Sequence, residues 1–297
     1  MNILAVDVGG TYIKYGIYDM DTQTLGTADK RETPMSGLEE FLQVITEIKE
    51  AAGDVNGVAM SLPGTIDSNN GFVYQGGTLQ YNNRQNLAEQ LKEKFGCPVT
   101  IENDARCAAL AELWKGSLKG VQNALVLVIG TGIGGAIIQN GQIYKGSHLY
   151  AGEFSILFTK DISKYGGDAT FGRQVSIPYF VERCGKKLGK KLEGPELFAM
   201  LEEGCPDLQK DFHDYLSNFA LQLFNLQIAF DPEKIVIGGG VSKNPFFVKS
   251  LEQYIEAFYQ KIPLPIAHSF GVCKFGNSAN LLGAVRHYLG LNNILGE

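Results

Sequence analysis

The sequence predicts an α/β protein built as two lobes, each a mixed sheet covered by helices. Three observations carry that expectation. A device of apolar strand, glycine-rich turn and returning strand occurs twice, at 2–18 and at 124–138. The first 115 or so residues alternate β-β-α-β-α-β-α, the pattern of a sheet crossed over by helices. At 297 residues the chain exceeds the usual length of one domain and can bury a sizeable core. The expected division is 1–115, joined by a C-terminal helix over 278–297, and 116–277.

Each element has a local reason. After the opening hairpin, Leu38, Phe41, Leu42, Ile45 and Ile48 fall three or four apart, predicting an amphipathic helix from a Ser36 cap to Ala52. Val55 to Leu62 is a short apolar strand stopped by Pro63-Gly64, and Leu87 to Phe95 is a second helix. Pro98 to Glu102 reads as a strand running directly into Asn103-Asp104 and a helix over 105–114. In the second half, a polar loop over about 160–172 follows the hairpin, then helices over 177–188 and 207–230. Asp231-Pro232 ends the latter, Lys234 to Gly240 is a buried strand closing on three glycines, and Asn244-Pro245 caps a helix reaching about Gln260.

Composition narrows the classes of function. Hydrophobic residues make up 44% and the formal net charge is -6, which argues against nucleic acid as a partner because phosphate backbones are bound by clustered Lys and Arg. The cluster Lys186, Lys187, Lys190 and Lys191 is the one counter-signal, and it also fits a solvated helix face. The first residues lack the basic region of a signal peptide, and no apolar run approaches the ~20 residues that span a bilayer. No membrane association and a cytoplasmic location are therefore expected. Five cysteines, odd in number and without C-x-x-C spacing, read as reduced thiols.

Chemistry concentrates at the turns. Asp7 ends a strand just before Gly9-Gly10-Thr11, where backbone N–H groups can converge on an anion. A carboxylate beside a phosphate is repelled unless a divalent cation intervenes, so Asp7 is a candidate for holding Mg²⁺ through its waters. Thr11 can donate a hydroxyl and Lys14 supplies positive charge; an ordinary hairpin with Asp7 as turn former is the alternative. The second hairpin, Gly130-Thr131-Gly132-Ile-Gly134-Gly135, superficially matches a dinucleotide fingerprint. It continues as a strand instead of opening a helix, and no acidic residue stands at the next strand's end, so an NAD-binding fold is disfavoured. Asn103-Asp104 can be a helix cap, and the same placement suits a carboxylate that accepts a hydroxyl proton during phosphoryl transfer. Glu153 could grip two sugar hydroxyls or lie on the surface. The turn Gly238-Gly239-Gly240 could let an adenosine lie against backbone, or simply be tight.

In order along the chain, these segments resemble the ROK family of bacterial sugar kinases and repressors, within the actin-like ATPase superfamily. Asp7-x-Gly9-Gly10-Thr11 with Lys14 looks like the first phosphate motif, and Pro63-Gly64 with Asp67 like the P-G-x-[IV]-D turn. Glu102-Asn103-Asp104-Ala105 is similar to the catalytic E-N-D-A, Gly130 to Gly135 to the second phosphate motif, Ala151-Gly152-Glu153 to the sugar-binding A-G-E, and Gly238 to Gly240 to the adenosine turn. The resemblance implies two actin-like, ribonuclease H-like lobes with a nucleotide and sugar cleft between them, and ATP with Mg²⁺. It makes Asp104 the general base, Asn103 and Glu153 sugar ligands with Glu102 or Thr78 as further contacts, and a homodimer the expected assembly. The family's repressors carry a helix-turn-helix before the first hairpin; here that hairpin starts at residue 2, which favours an enzyme over a regulator. A non-catalytic sugar sensor is the competing class, and the joint presence of Asp7, Lys14 and Asp104 argues against it.

One departure bears on the substrate. Family members follow A-G-E with I-G-H and a cysteine-rich zinc loop, whereas here Ile156 stands at the histidine's place, Gly172 replaces the loop's glutamate, and 157–176 contain no Cys or His. A tetrahedral zinc site cannot be built from that loop, so a zinc-free protein is expected. The missing His and Glu would contact hydroxyls near the anomeric end, and an unsatisfied buried polar group costs ~1–3 kcal/mol. A sugar whose anomeric oxygen is already substituted fits better. This zinc-less pattern resembles the family's beta-glucoside kinases, which phosphorylate the 6-hydroxyl of cellobiose and related glucosides; N-acetylmannosamine and glucose are the alternative acceptors. Between the two hairpins the acid and base are unequal: Val128 and Gly135 are expected where the first copy has Asp7 and Lys14.

Overall fold

A computed structural model describes residues 1–262, 265 and 268–294. The chain divides into two compact units, one of Met1–Lys119, Lys145–Tyr150 and Asn277 onward, the other of Gly120–Tyr144 and Ala151–Gly276. The hexapeptide Lys145–Tyr150, which no feature of the sequence singles out, thus belongs to the first unit.

In the first unit, strands β1 (Asn2–Val8) and β2 (Tyr12–Asp19) form an antiparallel hairpin, with β3 (Thr24–Leu25) and β4 (Asp29–Glu32) pairing on the outer edge of β2. Helix α1 (Leu38–Ala52) leads to β5 (Gly57–Leu62), which lies parallel to β1. A small hairpin, β6 (Thr65–Asp67) and β7 (Phe72–Gln75), and helix α2 (Leu87–Phe95) precede β8 (Val99–Asn103), which is parallel to β5. Helix α3 (Asp104–Lys115) follows without a break, and the last helix of the chain, α10 (Ala279–Leu291), packs on α3. That approach is close: a Cβ at Gly283 would lie 1.7 Å from the Cys107 carbonyl oxygen. Ser36 does not cap α1; Gly37 holds the cap position, and the Ser36 hydroxyl bonds the Glu40 side chain one turn on. The cap position falls one residue after the serine, and Gly37 brings no side chain to the free amides there.

The second unit repeats the scheme. Strands β9 (Ala124–Ile129) and β10 (Ile133–Gln139) are antiparallel, β11 (Gln142–Tyr144) extends the meander, and β12 (Lys234–Gly239) lies parallel to β9 with β13 (Phe270–Val272) beyond it. The order β2-β1-β5-β8 therefore reappears as β10-β9-β12-β13. Asn140 and Gly141, at φ of 53° and 72°, make the tight turn between β10 and β11. Register corrects one expectation. Ile129 pairs with Ile133 across three turn residues, whereas Val8 pairs with Ile13 across four. The residue opposite Val128 is consequently Gly134, and Gly135 is not the counterpart of Lys14.

Helices α4 (Ile162–Tyr165), α5 (Phe171–Val175), α6 (Ile177–Leu188), α7 (Gly194–Glu202), α8 (Pro206–Phe230) and α9 (Pro245–Tyr259) complete this unit. The segment expected as a loop over 160–172 is folded: Asp161 and Thr170 cap two short helices, and Phe171 is fully buried. Its polar sequence hid this because short helices are set by caps and one anchor, not by periodicity. The lysine cluster is a solvated face, with Lys186, Lys187 and Lys190 held by Glu182, Asp211 and Glu196.

Candidate active site

In the first unit one register row crosses the sheet near the C-terminal ends of its parallel strands: Lys14, Asp7, Ser61 and Glu102 lie side by side on β2, β1, β5 and β8. Side chains in one row share a face, so three charges meet over a single patch of sheet. Asp7 is buried, and its Oδ1 accepts hydrogen bonds from Ser61 Oγ at 3.1 Å and Asn280 Nδ2 at 2.9 Å. Burial pushes this carboxyl up, against the opposing pull of the Asn280 bond, the Lys14 charge and the Ser61 bond. The turn beyond is pinned by Gly9 N–H to the Tyr12 carbonyl at 3.0 Å and by Thr33 Oγ1 to the Gly9 carbonyl at 2.7 Å. Thr11 and Thr78 are exposed beside it, and a Cβ on Gly10 would stand 3.3 Å from Thr78 Oγ1. Thr78 is thus a neighbour of the first glycine turn.

Asn103 is both the last residue of β8 and the cap of α3. Its Oδ1 accepts from Arg106 N–H at 3.1 Å and its Nδ2 donates to the Gly64 carbonyl at 3.0 Å, which fixes the amide plane. Asp104 opens the helix, half-buried, with Oδ1 accepting from Ala105 N–H at 2.8 Å. A carboxylate in a helix's first turn is favoured there as an anion.

Glu102 is enclosed beneath them at 1% exposure. Its Oε2 accepts from Ser68 Oγ at 2.8 Å and meets Lys145 Nζ at 3.0 Å, and its Oε1 accepts from Asn103 N–H at 2.8 Å. Arg106 Nη1 stands 3.8 Å away and His287 Nδ1 4.0 Å away. Burial alone would raise this carboxyl; His287, Lys145, Arg106 and the Asn103 N–H outweigh it and hold Glu102 below the ordinary range. His287 is itself driven toward neutral imidazole by its burial, so Lys145 and Arg106 are the charges that keep Glu102 ionised. Glu102 therefore positions Asn103 and Asp104 from below and is not presented alongside them.

In the second unit the row corresponding to Lys14, Asp7 and Ser61 is Gly134, Val128 and Gly238, without a charge. The glycines sort by what surrounds them. A Cβ on Gly130 or Gly240 would meet nothing within 4 Å, leaving backbone open. One on Gly135 would fall 2.2 Å from the Gly152 carbonyl oxygen, and one on Gly239 2.0 Å from that of Ile129, so these two serve close packing. Gly132 lies against Ser155, and a Cβ on Gly238 would approach Cys273 Sγ at 3.1 Å. Gly130, Thr131 and Gly240 line one cavity of about 740 Å³ with Phe198, Lys243 and Phe246.

Glu153 follows Gly152, whose φ is 92°, at the entry to a single 3₁₀ turn carrying Ile156, which is exposed. Gly172 is demanded by space: a Cβ there would lie 2.0 Å from Ser155 Oγ. The segment after A-G-E is closed by hydrogen bonds from Thr159 N–H to the Ala169 carbonyl and from Phe171 N–H to the Leu157 carbonyl, both 2.8 Å. Among the described residues no group of three or more His, Cys, Asp or Glu could cage a metal ion.

Sequence reasoning missed Ser61, Ser68, Arg106, Lys145, Asn280 and His287. None sits in a glycine motif; Arg106 lies on α3 just after Asp104, and the others reach the site from separate elements, for Asn280 273 residues from Asp7.

Known proteins resemble this chain over nearly its whole length. The chain is 33% identical over 293 residues to a beta-glucoside kinase from Klebsiella pneumoniae, covering 97% of this chain and 96% of that protein. Among solved structures, a ROK family protein from Streptococcus pneumoniae TIGR4 in complex with sucrose superposes with a TM-score of 0.90 at 29% identity, over 99% of this chain and 100% of that one. A ROK hexokinase from Thermus thermophilus superposes at 0.80 with 26% identity, covering 99% and 100%. The ROK family pattern itself matches residues 3–289, and with that match, the repeated sheet order and the charged row at Asp7, the chain belongs to the ROK family.

Proposed function

We propose that this chain phosphorylates the 6-hydroxyl of a beta-glucoside such as cellobiose, with ATP as donor and Asp104 as general base. Family membership and relatives named as sugar kinases make the protein an ATP-dependent carbohydrate kinase. The observation carrying the glucoside reading is the pair Ile156 and Gly172, one an apolar exposed side chain and the other closed off by Ser155. Neither can satisfy a free anomeric hydroxyl. The Klebsiella relative's name favours that acceptor, and the sucrose in the pneumococcal structure, though an alpha-glucoside, is likewise a sugar whose anomeric oxygen is substituted.

Asp104 would accept the 6-hydroxyl proton as the oxygen attacks the γ-phosphorus in line; the new O–P bond forms while the bond to the ADP leaving oxygen breaks. Asn103 and Glu153 would orient the sugar, and Glu102 would keep the strand end in place. The open backbone at Gly130 and Gly240, with Thr131, would receive the nucleotide, and Gly9, Gly10, Thr11 and Lys14 the transferred phosphate. Asp7 fits a Mg²⁺ bound through its waters: it is a single carboxylate whose hydrogen bonds within the described residues both fall on Oδ1. With ATP bound, that ion would neutralise phosphate charge. A homodimer in the cytoplasm is part of the reading; light scattering tests the assembly.

Coupled ADP-release assays with cellobiose, glucose and N-acetylmannosamine decide the acceptor. Cellobiose is expected to show the highest kcat/KM. A higher value for free glucose or for N-acetylmannosamine would overturn the glucoside assignment.

A further inference from the structure

The first unit holds a cavity of about 710 Å³, to which the sequence motifs contribute only Thr65 and Asp67 of the P-G-x-[IV]-D turn. One wall is the β6–β7 hairpin with the turn after it, bringing Asp67, Tyr74, Gln75 and Arg84; the other is the hexapeptide Lys145–Tyr150, bringing His148 and Tyr150. Its volume lies within the range of small-ligand sites.

Both walls are tied to the catalytic segment. The Gly64 carbonyl, one residue before Thr65 on the rim, accepts from Asn103 Nδ2 at 3.0 Å. On the other side the Leu149 carbonyl accepts from Arg106 Nη2 at 2.6 Å, and Lys145 pairs with Glu102 at 3.0 Å. Arg106 lies two residues beyond Asp104 and is itself 2% exposed, so the hexapeptide hangs on the same helix that carries the base. Leu149 and Arg84 hold φ of 65° and 57°, a left-handed backbone that non-glycine residues keep only where the surroundings enforce it.

The lining specifies a ligand class. Tyr74 and Tyr150 are about half exposed, at 51% and 47%, although large aromatic faces are ordinarily covered. Each offers a flat apolar surface with a polar tip, which suits the C–H face and hydroxyl rim of a pyranose. Gln75 and Arg84 add planar donors, and Asp67 adds acceptors beyond the bonds it makes with Asn69 N–H and Asn70 Nδ2. One carboxylate against one guanidinium leaves no excess charge for a phosphate or another anion. A neutral polyol fits.

We infer that this cavity is the subsite for the second sugar ring of a disaccharide glucoside, holding the group attached at the anomeric oxygen of the ring that is phosphorylated. The inference rests on the glucoside reading above and deepens it. Specificity for the disaccharide then comes from the first unit's hairpin and hexapeptide, apart from the A-G-E segment.

The test compares cellobiose, methyl beta-glucoside and glucose as acceptors for the wild type and for Tyr74→Ala, Tyr150→Ala and Arg84→Ala, with thermal unfolding of each variant. The expected result is a fall in kcat/KM for cellobiose of about 10-fold or more, chiefly through KM, and a fall at least several-fold smaller for the two monosaccharide acceptors. Tyr74→Phe and Tyr150→Phe, which keep the ring, should retain most of the cellobiose activity. Variants that lose all three acceptors equally, or none, overturn the subsite while leaving the glucoside reading intact. A wild type that uses glucose but neither cellobiose nor methyl beta-glucoside overturns the glucoside reading and the subsite with it.

Discussion

Glu102→Gln removes one negative charge from a site where five groups converge, and keeps its shape. The carboxylate receives Ser68 Oγ and Asn103 N–H, each at 2.8 Å, and Lys145 Nζ at 3.0 Å, with Arg106 at 3.8 Å and His287 at 4.0 Å. An amide has a single acceptor oxygen, so it can serve Ser68 on one side or the Asn103 N–H on the other but not both, and it offers no counter-charge. Lys145, at 21% exposure, can turn toward water; Arg106, at 2%, cannot. Breaking a buried pair from one side costs about 3–5 kcal/mol. At about 2–4 °C per kcal/mol for a protein of this size, Tm should fall on the order of 10 °C in differential scanning calorimetry at pH 7.

Lys145→Ala is the control, expected to cost about 1–2 kcal/mol because its charge is partly solvated and its loss leaves Arg106 on Glu102. Turnover should fall as well, since the Asn103 N–H that anchors the strand end loses its charged acceptor. The sign with pH follows from a carboxyl held below 4.5 in the fold: its contribution is complete above that value and is lost as pH drops through the folded value. The gap between wild type and Glu102→Gln should therefore close in acid. A Tm within about 2 °C of wild type at pH 7, or a larger loss from Lys145→Ala, would refute this account of the cluster.

Asp104→Asn should lower kcat by at least about 100-fold while sugar binding, read by calorimetry, stays near normal; near-normal turnover would remove Asp104 from the base's role. Asp7→Asn keeps an acceptor for Ser61 and Asn280 and removes a buried charge whose carboxyl is raised by burial, so stability should rise by about 0.5–2 kcal/mol while kinase activity is lost; a falling Tm contradicts it. Gly135→Ala should destabilise the protein by about 1–3 kcal/mol through its clash with Gly152 and Phe154, whereas Gly130→Ala should leave Tm unchanged and raise KM for ATP. His287, lowered from 6.5 by burial, makes the unfolded chain bind protons first, so wild-type stability should decline as pH falls from about 6.5 toward the folded value; His287→Asn should flatten that part of the profile in urea titrations.

How far the sequence could be read follows the range of the forces involved. Helices such as 87–95 and 177–188 and the strand ending in Gly238-Gly239-Gly240 were legible from periodicity, caps and glycine punctuation, all local. Short elements escaped: β3, β4, β6 and β7 have too few residues to show alternation, and α7 begins at Gly194-Pro195 after a lysine-rich stretch. The Ser36 cap missed by a single residue, because serine and glycine side by side both suit a helix start. The hairpin counterpart of Lys14 failed for a different reason, because counting along the chain ignores that one turn is a residue shorter, and register obeys pairing.

By itself the sequence determined which chemistry is on offer: an acid and a base beside the first glycine turn, an uncharged second turn, Asn103-Asp104 at a strand-to-helix junction, and a loop with neither Cys nor His. Those follow from residue type and local spacing. Tertiary structure alone decided that Asp7, Ser61 and Glu102 form one row, that Asn280 and His287 of the last helix complete it, and that Lys145–Tyr150 joins the first unit and walls a cavity there. It also separated the glycines that keep backbone open from those that merely pack. The physical reason is that burial, register and charge pairing act between residues far apart in the chain, and no local pattern encodes their partners.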